Sequence, residues 1–206
     1  MKKIVFENKE ITSSKVVCIG RNYIDHILEL ENEKPEEMVF FIKPNSAVCQ
    51  ELIFPKNHNY CHYEAEISFL IVENIPVAVG FGLDLTLREV QSKLKEKGLP
   101  WERAKAFDNS AVFSNFVEID DNINLEDLEI ELYINGSLKQ KASAKLMINK
   151  TEDILKEAKT FLSFEDGDIL MTGTPKGVGE FKVGDRFLGK ILYNKRVLIE
   201  KIFEVK

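Results

Sequence analysis

Apolar and polar positions alternate along most of this chain with the two-residue period of β-strands. Short apolar or alternating segments occur at residues 2–6, 15–20, 38–44, 63–72, 167–171 and 186–205. Asn135-Gly136 separates two more alternating runs, which is typical of a two-residue hairpin turn. The pattern therefore predicts that strands make up most of the fold.

Helical periodicity is restricted to a few separated segments. Residues 23–33 place Ile24, Ile27 and Leu28 loosely on one side of a short helix. Residues 45–59 show no periodicity and predict an irregular segment. The scarcity of helices between strands favours a strand-rich, mixed α+β class over a regular βαβ succession.

Two further helices have recognisable start signals. Thr86 and Glu89 have the spacing of a capping box at the start of the helical segment 86–98. Val90 and Leu94 share one face of this segment. Thr151 stands before the second helical segment and is a candidate N-cap. The sequence therefore predicts helices that begin after Thr86 and after Thr151.

Composition narrows the range of functions. The 206 residues are 44% hydrophobic and show no linker or repeat, so we expect a single domain over residues 1–206. The formal net charge of −6 disfavours nucleic acid or an anionic membrane as a partner. The sequence shows no apolar run of the roughly 20 residues that a membrane span needs, and no signal peptide is visible at its N-terminus. Three cysteines without a C-x-x-C pair favour the cytoplasm.

Carboxylates stand where an apolar strand begins. Glu64 and Glu66 are two residues apart, so a strand directs both to the same face, where like charges repel unless a cation lies between them. Asp84 adds a third carboxylate just before a predicted helix. Three carboxylates suit a hard cation such as Mg²⁺. The alternatives are an exposed strand edge for the glutamates and a capping role for Asp84.

Other segments offer acid–base and anion-binding groups. His26 and Glu29 are i,i+3 neighbours on a predicted helix, where the carboxylate can orient the imidazole as a general base or form a surface ion pair. Arg21 can grip a carboxylate or lie in solvent. The Gly-rich segment TGTPKGVG can bring backbone N–H groups close to an anion or form a plain turn; it lacks the P-loop order.

These segments occur in the order of one known family. The chain reads G-R-N-Y-x-x-H-x-x-E, H-x-E-x-E, G-x-x-L-D-x-T-x-R-x-x-Q, G-L-P-W-x-x-A-K-x-F and G-D-I-L-x-T-G-T-P-x-G-V-G. Over residues 15 to 190 it resembles the fumarylacetoacetate hydrolase family. It is most similar to the short, single-domain branch of acylpyruvate hydrolases and oxaloacetate decarboxylases or tautomerases.

The resemblance implies a β-roll with a few short helices, a Mg²⁺ or Mn²⁺ ion, a small 2-oxo acid substrate and a homodimer. His62 falls beside the ligand positions and would support them. By motif position, the metal ligands would be Glu64, Glu66 and Asp84, the catalytic residues His26, Glu29 and Lys105, and the substrate-binding residues Arg21, Gln91 and Thr174.

The activity implied is metal-dependent hydrolysis of carbon–carbon bonds in 2,4-dioxo acids of the acylpyruvate or fumarylpyruvate type, through a metal-stabilised enolate. Alternatives are an oxaloacetate decarboxylase or tautomerase, a hydratase or isomerase of aromatic-compound degradation, and a binding module without chemistry. Ala106, Ala111 and Val112 follow Lys105 and favour a short neutral substrate tail. The helix at 24–33 is a candidate lid.

Overall fold

The computed structural model describes residues 1–31, 33–120 and 122–206. Its strands are β1 (Lys3–Phe6), β2 (Lys9–Thr12), β3 (Lys15–Gly20), β4 (Val39–Pro44), β5 (Val48–Cys49), β6 (His62–Tyr63), β7 (Ala65–Val72), β8 (Ile75–Asp84), β9 (Ala111–Phe113), β10 (Val117–Glu118), β11 (Leu128–Ile134), β12 (Ser137–Ser143), β13 (Ile169–Met171), β14 (Gly179–Glu180), β15 (Arg186–Tyr193) and β16 (Arg196–Glu204). Its α-helices are α1 (Ile24–Glu29), α2 (Arg88–Glu96), α3 (Glu102–Lys105) and α4 (Thr151–Ala158).

The largest sheet is mixed and has the strand order β4-β3-β13-β7-β8-β9-β5, with β10 paired to β8. β13 runs parallel to β3 and antiparallel to β7, and β5 runs parallel to β9. β7 and β8 pair antiparallel along nearly their whole length. These two central strands carry the candidate metal ligands at one end.

Both faces of this sheet are buried, in agreement with the nearly continuous apolar runs of its central strands. On β7, Ile67 and Phe69 belong to one apolar cluster, whereas Leu70 belongs to a second cluster on the other face. The second cluster also contains Ile4 from β1, whose hairpin partner is β2. The alternation of side chains along a strand produces this two-sided core.

A second, antiparallel sheet has the order β12-β11-β15-β16 and packs on the first cluster. The predicted hairpin at Asn135-Gly136 is confirmed, because β11 and β12 pair on either side of these residues. Asn135 and Gly136 both have positive φ, as this kind of turn requires. The predicted strand-rich, mixed α+β class with a few short helices is therefore confirmed.

The predicted helix starts differ from the observed ones. Helix α2 begins at Arg88 after Leu87, so the Thr86–Glu89 capping box is wrong. The Thr86 hydroxyl donates to the Asp84 carbonyl oxygen at 3.2 Å instead. Thr151 is the first residue of α4, not its cap. In both cases, the residue before the helix lacks a side-chain oxygen to cap it.

Two boundaries also differ from the prediction. Helix α1 ends at Glu29, well before residue 33, and residue 32 lies outside the described part of the chain. The segment 45–59, predicted to be irregular, contains a 3₁₀ turn at Asn45–Ala47 and the short strand β5. Among the described residues, no helix is both long and apolar enough to cross a bilayer.

Candidate active site

The strand register brings three carboxylates together at the end of β7 and β8. Residues 66 and 82 are opposite each other, and the Asp84 N–H donates to the Glu64 carbonyl oxygen at 2.8 Å. Glu64, Glu66 and Asp84 therefore point to one face, and a carboxylate oxygen from each lies within 4.8 Å of the other two. Opposite Glu66, only glycine fits at position 82, because a Cβ there would lie 2.3 Å from Ser68 Oγ.

This carboxylate cluster, formed by Glu64, Glu66 and Asp84, is almost completely buried. Lys105 Nζ, at the end of α3, lies 2.8 Å from Glu64 Oε2 and 2.5 Å from Asp84 Oδ2. Although burial opposes its charge, Asp84 and Glu64 raise the pKa of Lys105 to about 12. The same lysine donates to Thr86 Oγ1 at 2.7 Å, which explains why Thr86 does not cap α2.

Lys43, on β4, is a second buried cation at the cluster. Its side chain is 0% exposed, and its Nζ lies 2.8 Å from Asp84 Oδ1. It also donates to the carbonyl oxygens of Lys105 and Ser110 and to Ser110 Oγ. Lys43 thus joins a candidate metal ligand to the turn that carries Lys105.

Arg88, in the first turn of α2, is the third cation that contacts the carboxylate cluster. Its Nη2 contacts Glu64 Oε1, and its Nη1 donates to Gln91 Oε1 at 2.7 Å. Against the effect of burial, Lys105 and Arg88 keep the pKa of Glu64 well below its usual range. On the outer side, Arg88 Nε lies 3.5 Å from His62 Nδ1, so His62 supports the cluster through Arg88.

Glu66 differs electrostatically from its two neighbours. Its Oε2 accepts the Gly173 N–H at 2.8 Å. Burial, followed by the charges of Asp84 and Glu64, raises its pKa well above the usual value. A divalent cation among the three carboxylates would offset this repulsion, and an all-oxygen donor set suits Mg²⁺ or Mn²⁺. The residues present therefore fit a hard divalent ion.

The imidazole of His26 faces the same cavity from α1. His26 Nδ1 lies 3.3 Å from Glu29 Oε2, as the i,i+3 spacing predicted. The other Glu29 oxygen accepts the Gly177 N–H at 2.9 Å, so the Gly-rich segment fixes the carboxylate. Burial lowers the pKa of His26, which keeps the imidazole neutral and able to accept a proton.

The Gly-rich segment brings backbone N–H groups close to anions, as its sequence suggested, and these anions are carboxylates of the protein itself. Its Gly173 and Gly177 N–H groups donate to the protein's own carboxylates, Glu66 and Glu29. Gly177 has φ of +98°, and a Cβ there would lie 2.0 Å from the Lys139 carbonyl oxygen. The glycine is therefore required where the loop turns towards Glu29.

Eight of the nine predicted site residues line one cavity, and the ninth, Glu29, contacts His26. The eight are Arg21, His26, Glu64, Glu66, Asp84, Gln91, Lys105 and Thr174. Two of the three predicted substrate-binding residues make hydrogen bonds within the protein. The Thr174 hydroxyl donates to the Ala65 carbonyl oxygen at 2.9 Å and accepts from Gln140 Nε2 at 2.8 Å, while Gln91 orients Arg88.

Three basic residues of the site were not among the sequence-based candidates. Arg88 and Lys95 are seven residues apart on α2 and face the cavity with Gln91; that spacing on a predicted helix was a usable signal. Lys43 gave a weaker signal, a lone lysine at the end of an apolar strand. Ala111 and Val112, which suggested a neutral substrate tail, lie fully buried in the core away from the cavity, so that argument fails.

Comparison with known proteins agrees with this geometry. The model of the fumarylacetoacetate (FAA) hydrolase C-terminal family matches residues 15–192. The chain is 40% identical over 187 residues to oxaloacetate tautomerase YcgM of Escherichia coli, covering 84% of this chain and 85% of that protein. It is 35% identical over 213 residues to the mitochondrial oxaloacetate tautomerase oaa1 of Schizosaccharomyces pombe, covering 94% and 96% of the two chains.

The fold is also shared with a solved relative. The crystal structure of fumarylpyruvate hydrolase from Pseudomonas aeruginosa, in complex with Mn²⁺ and pyruvate, superposes with a TM-score of 0.89 at 28% identity, covering 99% of this chain and 95% of that one. The chain belongs to the fumarylacetoacetate hydrolase family and has its fold. It is an enzyme of that family, with an acidic site that fits a divalent metal ion.

Proposed function

We propose that this protein is a divalent-metal-dependent oxaloacetate tautomerase, which interconverts the keto and enol forms of a small 2-oxo dicarboxylic acid. The observation that carries the proposal is that one cavity combines the carboxylate cluster, a neutral imidazole and several cations. The similarity to oxaloacetate tautomerases over most of both chains supports the choice of substrate.

Each residue has a role that follows from its contacts. Glu64, Glu66 and Asp84 would hold Mg²⁺ or Mn²⁺, and the ion when bound supplies Lewis acidity for negative charge on the 2-oxo group. Lys105 holds Glu64 and Asp84 in place through one ion pair to each. Arg88 limits the freedom of Glu64, so the ligands are preorganised by buried cations.

His26 transfers the proton. In the keto-to-enol direction the C3–H bond breaks, the C2–C3 double bond forms, and the C2 oxygen gains a proton, so composition is unchanged. His26 accepts the proton from C3 and returns it to the oxygen directly or through solvent. Glu29 holds the Nδ1 side of the ring, which leaves Nε2 for the substrate.

The experiment follows the ultraviolet absorbance of the oxaloacetate enol. We expect Mn²⁺- or Mg²⁺-loaded protein to accelerate its loss beyond the buffer rate, and EDTA to abolish the acceleration. His26→Ala should lose about 10² to 10⁴ of the rate. An enol decay that stays at the buffer rate with either metal would contradict the proposal.

A second activity is favoured by one specific likeness, that to the fumarylpyruvate hydrolase structure with Mn²⁺ and pyruvate. Hydrolysis of a 2,4-dioxo acid uses the same enolate, with His26 and Glu29 activating the attacking water. The assay is pyruvate release from acetylpyruvate and fumarylpyruvate. Pyruvate release from oxaloacetate would report decarboxylation instead.

We also propose a homodimer. On the outer face of the second sheet, the strand registers align Leu138, Tyr133, Leu188 and Ile202 in one apolar row across all four strands. Leu138 and Ile202 are 50% and 44% exposed, and closed two-fold pairing is the commonest way to cover such a surface. Sedimentation at micromolar concentration should give twice the 23.6 kDa chain mass; a stable monomer would contradict the proposal.

Two other expectations from the sequence remain predictions. Limited proteolysis that leaves one resistant core would support a single catalytic domain over residues 1–206. A cytoplasmic location agrees with three buried thiols that form no disulfide in the described chain, although oaa1 is a mitochondrial protein. Cell fractionation would decide the location.

A further inference from the structure

Helix α2 presents a row of polar groups to the active-site cavity. Arg88, Gln91 and Lys95 follow the i, i+3, i+7 spacing of one helix face, and all three line the cavity. Arg88 and Gln91 bind each other, and Arg88 contacts Glu64. Of the three, Lys95 lies farthest along α2 from Arg88, the residue that contacts the carboxylate cluster.

The position of Lys95 along the helix fixes its distance from the cluster. Seven residues of α-helix separate Lys95 from Arg88 by about 10 Å along the axis. Side chains on a helix lean towards its N-terminus, so the lysine side chain extends back in the direction of Arg88. Its ammonium group therefore lies between the end of α2 and the metal-ligand end of the cavity.

The surroundings of Lys95 are apolar on one side and positive on the other. Its Nζ lies 5.0 Å from the centroid of the Trp101 ring. Burial, followed by the charges of Arg21, Arg88 and Lys105, lowers its pKa to about 8. Mutual repulsion among these cations is relieved when an anion binds between them, so this end of the cavity favours a carboxylate over a neutral group.

We propose that Lys95, together with Arg21, binds the C4 carboxylate of the substrate and thereby selects dicarboxylic 2-oxo acids over acids with a neutral tail. The inference rests on the proposed function, because it takes the C1 carboxylate and the 2-oxo group to be at the carboxylate cluster. Lys95 is then a specificity-determining residue that takes no part in proton transfer.

The test uses two unreactive ligands that differ only at the far end. Malate and 2-hydroxybutyrate share a 2-hydroxy acid head, and malate has a carboxylate where 2-hydroxybutyrate has a methyl group. Calorimetry on Mn²⁺-loaded protein gives both affinities. We expect the wild type to prefer malate at least about tenfold, the contribution expected of a charge-assisted contact.

Lys95→Gln should weaken malate binding about tenfold and change 2-hydroxybutyrate binding less than about twofold. Lys95→Arg should keep most of the preference. Lys93→Gln is the matched control, because Lys93 lies on the same helix but is exposed and does not line the cavity. Circular dichroism and Mn²⁺ affinity check that each variant is folded and loaded.

Two outcomes would overturn the inference. One is a wild type that binds the two ligands equally; the other is a Lys95→Gln protein whose preference for malate equals that of the Lys93→Gln control. The oxaloacetate assay reports separately on the proposed function. If the wild type shows the malate preference but leaves the enol unchanged, the tautomerase proposal fails while the role of Lys95 stands.

Discussion

Replacing Lys43 by methionine should destabilise the protein strongly, although Lys43 is outside the predicted catalytic set. Methionine nearly matches the side chain in volume and removes the charge and all of its donors. Lys43 is completely buried, and its Nζ contacts the Asp84 carboxylate, the carbonyl oxygens of Leu85, Lys105 and Ser110, and Ser110 Oγ. The substitution would remove this ammonium group from all of them at once, and among the described residues Asp84 would keep only its ion pair with Lys105.

The magnitude follows from burial. Removing one partner of a buried ion pair costs about 3–5 kcal/mol, because the remaining charge stays desolvated. Carbonyl oxygens that lose a donor add to the same loss, and they are not counted separately because the groups share one ammonium. Against a total stability of about 5–15 kcal/mol, the variant would lose at least about a fifth of its free energy of unfolding.

Urea unfolding in EDTA measures this loss without a contribution from bound metal. With an m-value of about 2–3 kcal/mol per M, the midpoint should fall by about 1–2.5 M. Lys206→Met is the control, because that lysine forms an exposed ion pair with Glu51, and its midpoint should stay near the wild-type value. A Lys43→Met midpoint equal to that of the control would refute the reasoning.

Three further predictions concern the site itself. Glu66→Ala should abolish Mn²⁺ binding measured by calorimetry, and an unchanged affinity would remove Glu66 from the ligand set. Because burial lowers the pKa of His26, the acid limb of kcat/KM should lie below pH 6.5. Glu29→Gln should move this limb lower still, because it removes the carboxylate charge that raises the pKa of His26; a limb above pH 6.5 in the wild type would contradict the assignment. Lys176→Glu should destabilise α1, because Lys176 Nζ lies 2.8 Å from Asp25 Oδ2, and amide exchange at residues 24–29 should become faster. The double variant with Asp25→Lys should restore the protection; equal protection in the wild type and both variants would exclude a role for this contact.

The sequence predicts where the strands lie better than it predicts the order in which they pair. Alternation identified the hairpin around Asn135-Gly136 and the terminal strands, because period and turn chemistry are local properties. The insertion of β13 between β3 and β7 joins segments about 150 and 100 residues apart, and nothing local specifies that order. The predicted start of α2 was wrong for a different reason: Thr86 Oγ1 accepts a hydrogen bond from Lys105 Nζ in the site.

In the candidate site too, residues marked by local spacing or motifs were predicted, and a residue defined by distant contacts was not. The i,i+2 spacing of Glu64 and Glu66 placed both on one face, and the family motifs supplied Asp84. The motifs did not indicate Lys43, because its importance arises only where β4 meets the turn after α3. A buried cation is defined by its three-dimensional partners, and a single lysine in an apolar strand does not reveal them.

The balance of charge supports the proposal that a divalent metal and a dianionic substrate bind together in this cavity. The cluster has three carboxylates and three neighbouring cations, Lys43, Lys105 and Arg88, which contact Asp84 and Glu64. A divalent ion would add two positive charges, and Arg21 and Lys95 lie on the same cavity wall, so the loaded site would be strongly positive. A monocarboxylate supplies negative charge only at the metal, whereas a dicarboxylate also supplies a negative charge near Arg21 and Lys95. The electrostatics therefore favour oxaloacetate over acylpyruvates with a neutral tail.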